Sequence, residues 1–221
     1  MTQKRIHTKL STYRYEFLLV ALLLLIFDKI FFPSEDTYIR YIWPLNMVII
    51  TVACFGIFNE KRGSIIAMRN VLCGISIAMP FMFLAFNSQS WFIYILTYFY
   101  IIFYTFIFYA VMHQITFTKE VRLNVVIGSF CGYLLLSMIA TFSFILVELM
   151  FPTAFHGLGE STPAKYNQLT YFSFITLTSI GFGDIYPVHD SSRLTVAFFG
   201  MLGQFYMVAV VGIIISKFTS K

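Results

Sequence analysis

Six long apolar runs, separated by short connections that hold most of the charge, constrain this chain more than any other feature. They cover about residues 15–32, 41–58, 64–86, 91–112, 123–151 and 193–217. About 20 apolar residues in a helix cross the hydrocarbon core of a bilayer. Of the 221 residues, 59% are hydrophobic and 11% charged, whereas a soluble domain carries roughly a quarter charged residues. The expected fold is all-α and integral to a membrane, with six transmembrane helices.

The net charge of +5 invites a nucleic-acid partner, but its distribution excludes one. Lys4, Arg5, Lys9, Arg14, Lys61, Arg62, Arg69, Lys119, Arg122, Lys217 and Lys221 fall on one side of the predicted topology. Lys29, Arg40, Lys165 and Arg193 fall on the other. That asymmetry places both termini in the cytoplasm. The first run is long for a cleaved signal and ends in Phe31-Phe32-Pro33 without small cleavage residues, so it reads as an anchor. Asp28 and Lys29 are expected as an interfacial pair, Glu35 and Asp36 in an external loop, and Pro80 as a kink in the third span.

Other chemistries find no residues. Cys54, Cys73 and Cys131 lie inside apolar runs, and an odd count argues against a disulfide framework. No metal-ligand spacing, paired carboxylates, HExxH, GxSxG or phosphate loop is present, so neither a cofactor nor an enzyme is expected. The run 91–112 holds no Lys or Arg and cannot do the work of a voltage sensor, where each charge moved is worth about 2.3 kcal/mol per 100 mV. Residues 113–122 read as a polar cytoplasmic connection in which His113 is solvated.

The chemistry concentrates in Tyr171–Pro187, YFSFITLTSIGFGDIYP. Residues 167–178 are apolar but too short to span, which suits a re-entrant half-helix. Its C-terminal end carries partial negative charge and favours a cation. Alternate glycines after it let the backbone adopt conformations other residues resist, so successive carbonyl oxygens can face one side, and a ring of backbone carbonyls can replace an ion's hydration shell.

Thr178-Ser179-Ile180-Gly181-Phe182-Gly183-Asp184 resembles TTVGYGD, the selectivity-filter signature of tetrameric potassium channels. The likeness extends over about residues 123–217. It implies potassium sites at the carbonyls of Ser179, Ile180, Gly181 and Phe182, with the Ser179 hydroxyl closing the innermost. Thr178, Gly183 and Asp184 would support the filter and form its entrance. Gly203 would be a gating hinge, with Gln204 just below the filter and Met207, Val211 and Ile215 lining the cavity. The permeant ion would be the sole metal. Four chains would close one ring, because one pore loop supplies a quarter of it. Phe182 in place of tyrosine removes one hydroxyl behind the filter.

The expected plan is therefore a tail (1–14), a four-helix domain (15–112), a linker (113–122), a pore domain (123–217) and a short tail (218–221). No gating ring is expected after it, and the location is a bacterial inner membrane. In the fifth span Gly128, Gly132, Ser137 and Ala140 permit close helix approach. By the resemblance Glu148 could hydrogen-bond behind the filter or face the outer vestibule, and the second is expected; 152–168 is expected to form an external loop. His156 and His189 near the mouth are candidate proton sensors. A poorly selective cation channel is the alternative function. A membrane transporter or enzyme in which GFGD is incidental is the third.

Overall fold

The computed structural model describes residues 13–32, 34, 37–57, 63–86, 89–117 and 123–219. Helix α1 is Arg14–Phe27, followed by a 3-10 turn Asp28–Ile30. A π-helical turn Tyr38–Ile42 leads into α2, Trp43–Ile57. Then come α3 (Gly63–Phe86), α4 (Ser90–Phe117) and α5 (Leu123–Met150). Strand β1 (Phe155–His156), α6 (Thr162–Leu177), β2 (Tyr186–Pro187) and α7 (Asp190–Thr219) complete the order.

Among the described residues, five helical stretches are long and apolar enough to cross a membrane: Tyr38–Ile57, Ile65–Phe86, Ser90–Phe117, Asn124–Met150 and Asp190–Val210. The 14-residue α1 is not one of them, because at 1.5 Å per residue it falls short of the hydrocarbon thickness. Lys4, Arg5, Lys9, Glu35, Asp36, Lys61, Arg62, Lys119, Arg122 and Lys221, on which much of the predicted orientation rests, lie outside the described residues.

Several expectations need correction. The fold is mostly helical rather than all-α: β1 and β2 pair antiparallel, Phe155 with Pro187 and His156 with Tyr186. Helix α4 continues to Phe117, so the first half of the expected linker is helical. His113 there is exposed, as expected, beside the rings of Tyr109 and Phe117, because helical spacing of four keeps those rings on one face. Asp28 is buried within the chain. It accepts a 2.6 Å hydrogen bond from Asn46 Nδ2, and a buried carboxylate needs such a donor. Pro80 lies inside the third helix, where a kink remains its expected consequence.

The chain divides into two compact units, with the cuts falling inside α4 and α5. The first holds the chain up to Phe92 together with Phe106–Gly132. Its core comes from Leu18, Leu22 and Leu25 of α1 and Met47, Ile50 and Ile57 of α2, all fully buried. Gln114 ties three segments: its Oε1 accepts from Tyr15 Oη at 3.0 Å, and its Nε2 donates to the Ile57 carbonyl at 2.7 Å. A Cβ at Gly128 would meet Tyr15 and Ile115 at 3.2 Å, so the glycine permits the close approach its spacing suggested.

The second unit holds Ile93–Thr105 and the chain from Tyr133 onward. Tyr100 and Tyr104 lie against Phe142, with centroids 5.0 and 5.7 Å away, and Phe142 meets Tyr166 at 5.8 Å. Tyr94 Oη donates to the Leu149 carbonyl at 2.6 Å. At the centre, Phe144 touches Phe155, Phe172 and Phe199 at 5.4–5.7 Å. Rings from α5, β1, α6 and α7 thus meet on one residue. Each such pair contributes about 0.5–1.5 kcal/mol beyond area burial. This cluster is the platform on which the loop 178–184 stands.

Candidate functional site

The loop between α6 and β2 begins where the helix runs out of backbone donors. Helix α6 starts at Thr162, not at 167, because Ser161 caps it: Ser161 Oγ accepts from the Ala164 N–H, and Pro163 sits in the first turn. Residues 162–168, expected in the external loop, are therefore helical. At the other end the Thr178 hydroxyl turns back to the Phe174 carbonyl at 2.7 Å.

The next five residues alternate in the sign of φ. Ser179 has +58°, Gly181 +55° and Gly183 +82°, and neither Ile180 nor Phe182 between them is positive. Alternation of this kind turns successive peptide planes over, so that their carbonyls share a side and their N–H groups the other. The first three N–H groups are tied back to the helix. Ser179 N donates to Thr176 O at 3.1 Å, and Ile180 N and Gly181 N both donate to Ile175 O, at 2.9 and 3.1 Å. Among the described residues no hydrogen bond reaches the carbonyl oxygens of Ser179 to Gly183. Five acceptors are left exposed beside the C-terminal end of α6, where the helix dipole is negative.

Ser179 is the strained member. A left-handed L-residue costs about 1–2 kcal/mol, and here Gln204 Nε2 donates to its hydroxyl at 2.6 Å. The expected places of Ser179 and Gln204 are thereby brought into contact. Gly203, one residue earlier on α7, is buried against the end of α6. A Cβ there would lie 2.6 Å from the Leu177 carbonyl oxygen and 2.8 Å from its Cα. Close approach alone accounts for a glycine at this position, and α7 is continuous through it. Met207 is exposed further along the same helix. The side chains of Val211 and Ile215 lie outside the described residues.

At its far end the loop is held by residues the sequence did not single out. Tyr171 Oη donates to Asp184 Oδ1 at 3.2 Å. Gly157, with φ +86°, brings its backbone so near that a Cβ would sit 2.4 Å from the Asp184 carbonyl oxygen. The Ala154 carbonyl accepts from Val188 N at 2.9 Å and from Ser192 Oγ at 2.7 Å. His156 stacks on Tyr186 at 4.7 Å, and His189 on Phe151 at 4.3 Å, with its Nδ1 accepting from Ser191 N. Each histidine is fixed beside a ring near this end, apart from the carbonyl row.

Glu148 corrects an expectation. It does not face an outer vestibule; it is buried, 5% exposed, and accepts from Thr153 N and Phe155 N at 3.3 Å and from Lys165 Nζ at 2.9 Å. Three donors meet the buried charge that the turn after α5 encloses. The residues of the loop itself stay open to the outside of a single chain: Ile180 is 57% and Phe182 71% exposed.

Residues 134–220 match the family model described as ion channel. No curated protein and no solved structure matches the chain.

Proposed function

We propose, from the match of residues 134–220 to the ion-channel family model, that the chain is a passive potassium-selective channel of a bacterial inner membrane. Four copies surround one axis, and both termini are cytoplasmic. The observation that carries this reading is the alternation of φ at Ser179, Gly181 and Gly183, with the first three N–H groups tied to α6 and carbonyls left open. Such a row suits one ligand class, a bare cation that exchanges water for oxygen. In this reading Ser179, Ile180, Gly181 and Phe182 supply the ion sites, while Thr178, Gly183 and Asp184 frame them. Gln204 stands behind the Ser179 hydroxyl, and Met207, Val211 and Ile215 line the cavity below. Gly203 serves chiefly to let α6 and α7 touch, and residues 123–217 are the pore domain.

The test is reconstitution into planar bilayers with potassium on one side and sodium on the other. Unitary currents are expected, reversing close to the potassium equilibrium potential. Gly181→Ala is expected to abolish them, since a Cβ disfavours the left-handed backbone although nothing among the described residues lies within 4 Å of it. A reversal potential near zero would favour the poorly selective alternative. Flux by a single-copy species without unitary steps would favour a transporter.

A further inference from the structure

The channel reading leaves an ion pair with a buried carboxylate unused. Glu148 and Lys165 meet at 2.9 Å, with Glu148 5% and Lys165 35% exposed. A half-buried pair of this kind adds little net stability over apolar residues, because desolvation of the carboxylate offsets attraction. Its partners suggest another use. Both carboxylate oxygens also accept backbone N–H groups, from Thr153 and Phe155. Thr153 has φ +67°, and a β-branched residue in that region is a genuine outlier. Strain of this kind persists only where surrounding structure over-determines it, and it gathers at functional sites.

The strained turn leads directly to the far end of the carbonyl row. Phe155 and His156 form β1, paired with Tyr186 and Pro187 just after the loop. Ala154 O holds Val188 and Ser192, and Gly157 lies against Asp184. We propose that Glu148, clasped by Lys165, is a positioning residue for the filter's far end: it holds the turn at Thr153, and the turn holds Asp184 and Ile185 in place. This rests on the filter reading of 179–183. Removing the clasp leaves the fold's apolar platform intact but frees the segment from which Gly183 and Asp184 hang. Ion selection should fail before assembly does.

The experiment compares wild type, Glu148→Gln, Lys165→Met and the double variant Glu148→Gln/Thr153→Gly in bilayers. It reads the potassium-to-sodium permeability ratio, with size-exclusion elution as the assembly control. Glu148→Gln and Lys165→Met are expected to lower the ratio about tenfold, the scale of one lost charged hydrogen bond, with elution unchanged. Thr153→Gly accepts the left-handed backbone without strain, so the double variant should recover most of the ratio. A purely structural role for Glu148 would give no such recovery. Single variants that elute as wild type and keep its ratio overturn the clasp while the channel stands. Failure of the glycine to restore selectivity overturns the route through Thr153. A wild type that passes no ion overturns both readings together.

Discussion

An alanine at Gly203 would bring its Cβ 2.6 Å from the carbonyl oxygen of Leu177, and one at Gly181 would touch nothing among the described residues within 4 Å. The two glycines therefore do different jobs. Overpacking a fixed helix contact costs about 1–3 kcal/mol, so Gly203→Ala should lower the melting temperature of the detergent-solubilised protein and weaken its expression. Gly181→Ala is strained through its φ, by about 1–2 kcal/mol, without the backbone clash of Gly203→Ala, and should lose conduction at a smaller drop in melting temperature. Thermal unfolding of both variants side by side checks the contrast; equal losses would dissolve it. The glycine motif itself was legible because carbonyl rows need these residue types at these positions. What the sequence could not show is what stands behind them. Tyr171 reaches Asp184 across 13 residues and Gln204 reaches Ser179 across 25, and no local pattern records a contact at that range. Glu148 was misread for the same reason: a carboxylate at a helix end looks solvated until the turn after it is seen to fold back and offer two N–H groups.

At the scale of elements, the helices were legible in the measure that hydrophobicity defines them. The fifth run, expected over 123–151, is α5 at Leu123–Met150. Boundaries failed where polar residues are helical. Residues 162–168, TPAKYNQ, look like loop by polarity, yet Ser161 followed by Thr162-Pro163 is an N-cap with proline in the first turn, a signal that composition alone hides. The two-residue strands carry no periodicity to read, since two residues cannot alternate. Helix α4 supports a further prediction. It is longer than its apolar core, Ser90–Phe117, and the added turn still brings no Lys or Arg. A helix without charge moves none across the field, so intrinsic voltage dependence should be weak. Conductance measured from −100 to +100 mV in symmetrical, blocker-free potassium should change only gradually, within a few-fold, where each gating charge would be worth about 2.3 kcal/mol per 100 mV. A sigmoidal curve rising steeply over tens of millivolts would place gating charge elsewhere in the chain.

At the scale of the whole molecule, the proposed channel needs further copies of the chain. Leu194, Phe198, Met201, Phe205 and Val208 of α7 are 51–74% exposed, and their spacing of four and three puts them along one helix face. Lipid tails would cover such a stripe as readily as protein, so the stripe alone decides nothing. The loop beside it supports the proposed ring. Its backbone is irregular and, among the described residues, its carbonyls accept no hydrogen bond, and irregular backbone at membrane depth is tolerated only against protein or a water-filled cavity. In the proposed channel further copies around an aqueous axis meet those oxygens, which lipid could not satisfy. Closed rotational symmetry then makes every copy equivalent, and a carbonyl ring of the potassium-channel kind needs four. Phe205, 71% exposed, is the stripe's largest residue beside Gln204 and so the best probe of what covers it. Multi-angle light scattering of the detergent-solubilised protein should give four chain masses, and Phe205→Ala should move the distribution toward smaller species. Were the stripe lipid-facing, truncation would cost little, because tails fill the space as well as a ring does. A wild type of one chain mass would remove the fourfold ring, and a Phe205→Ala protein indistinguishable from wild type would assign the stripe to lipid and leave the loop to be enclosed by other surfaces.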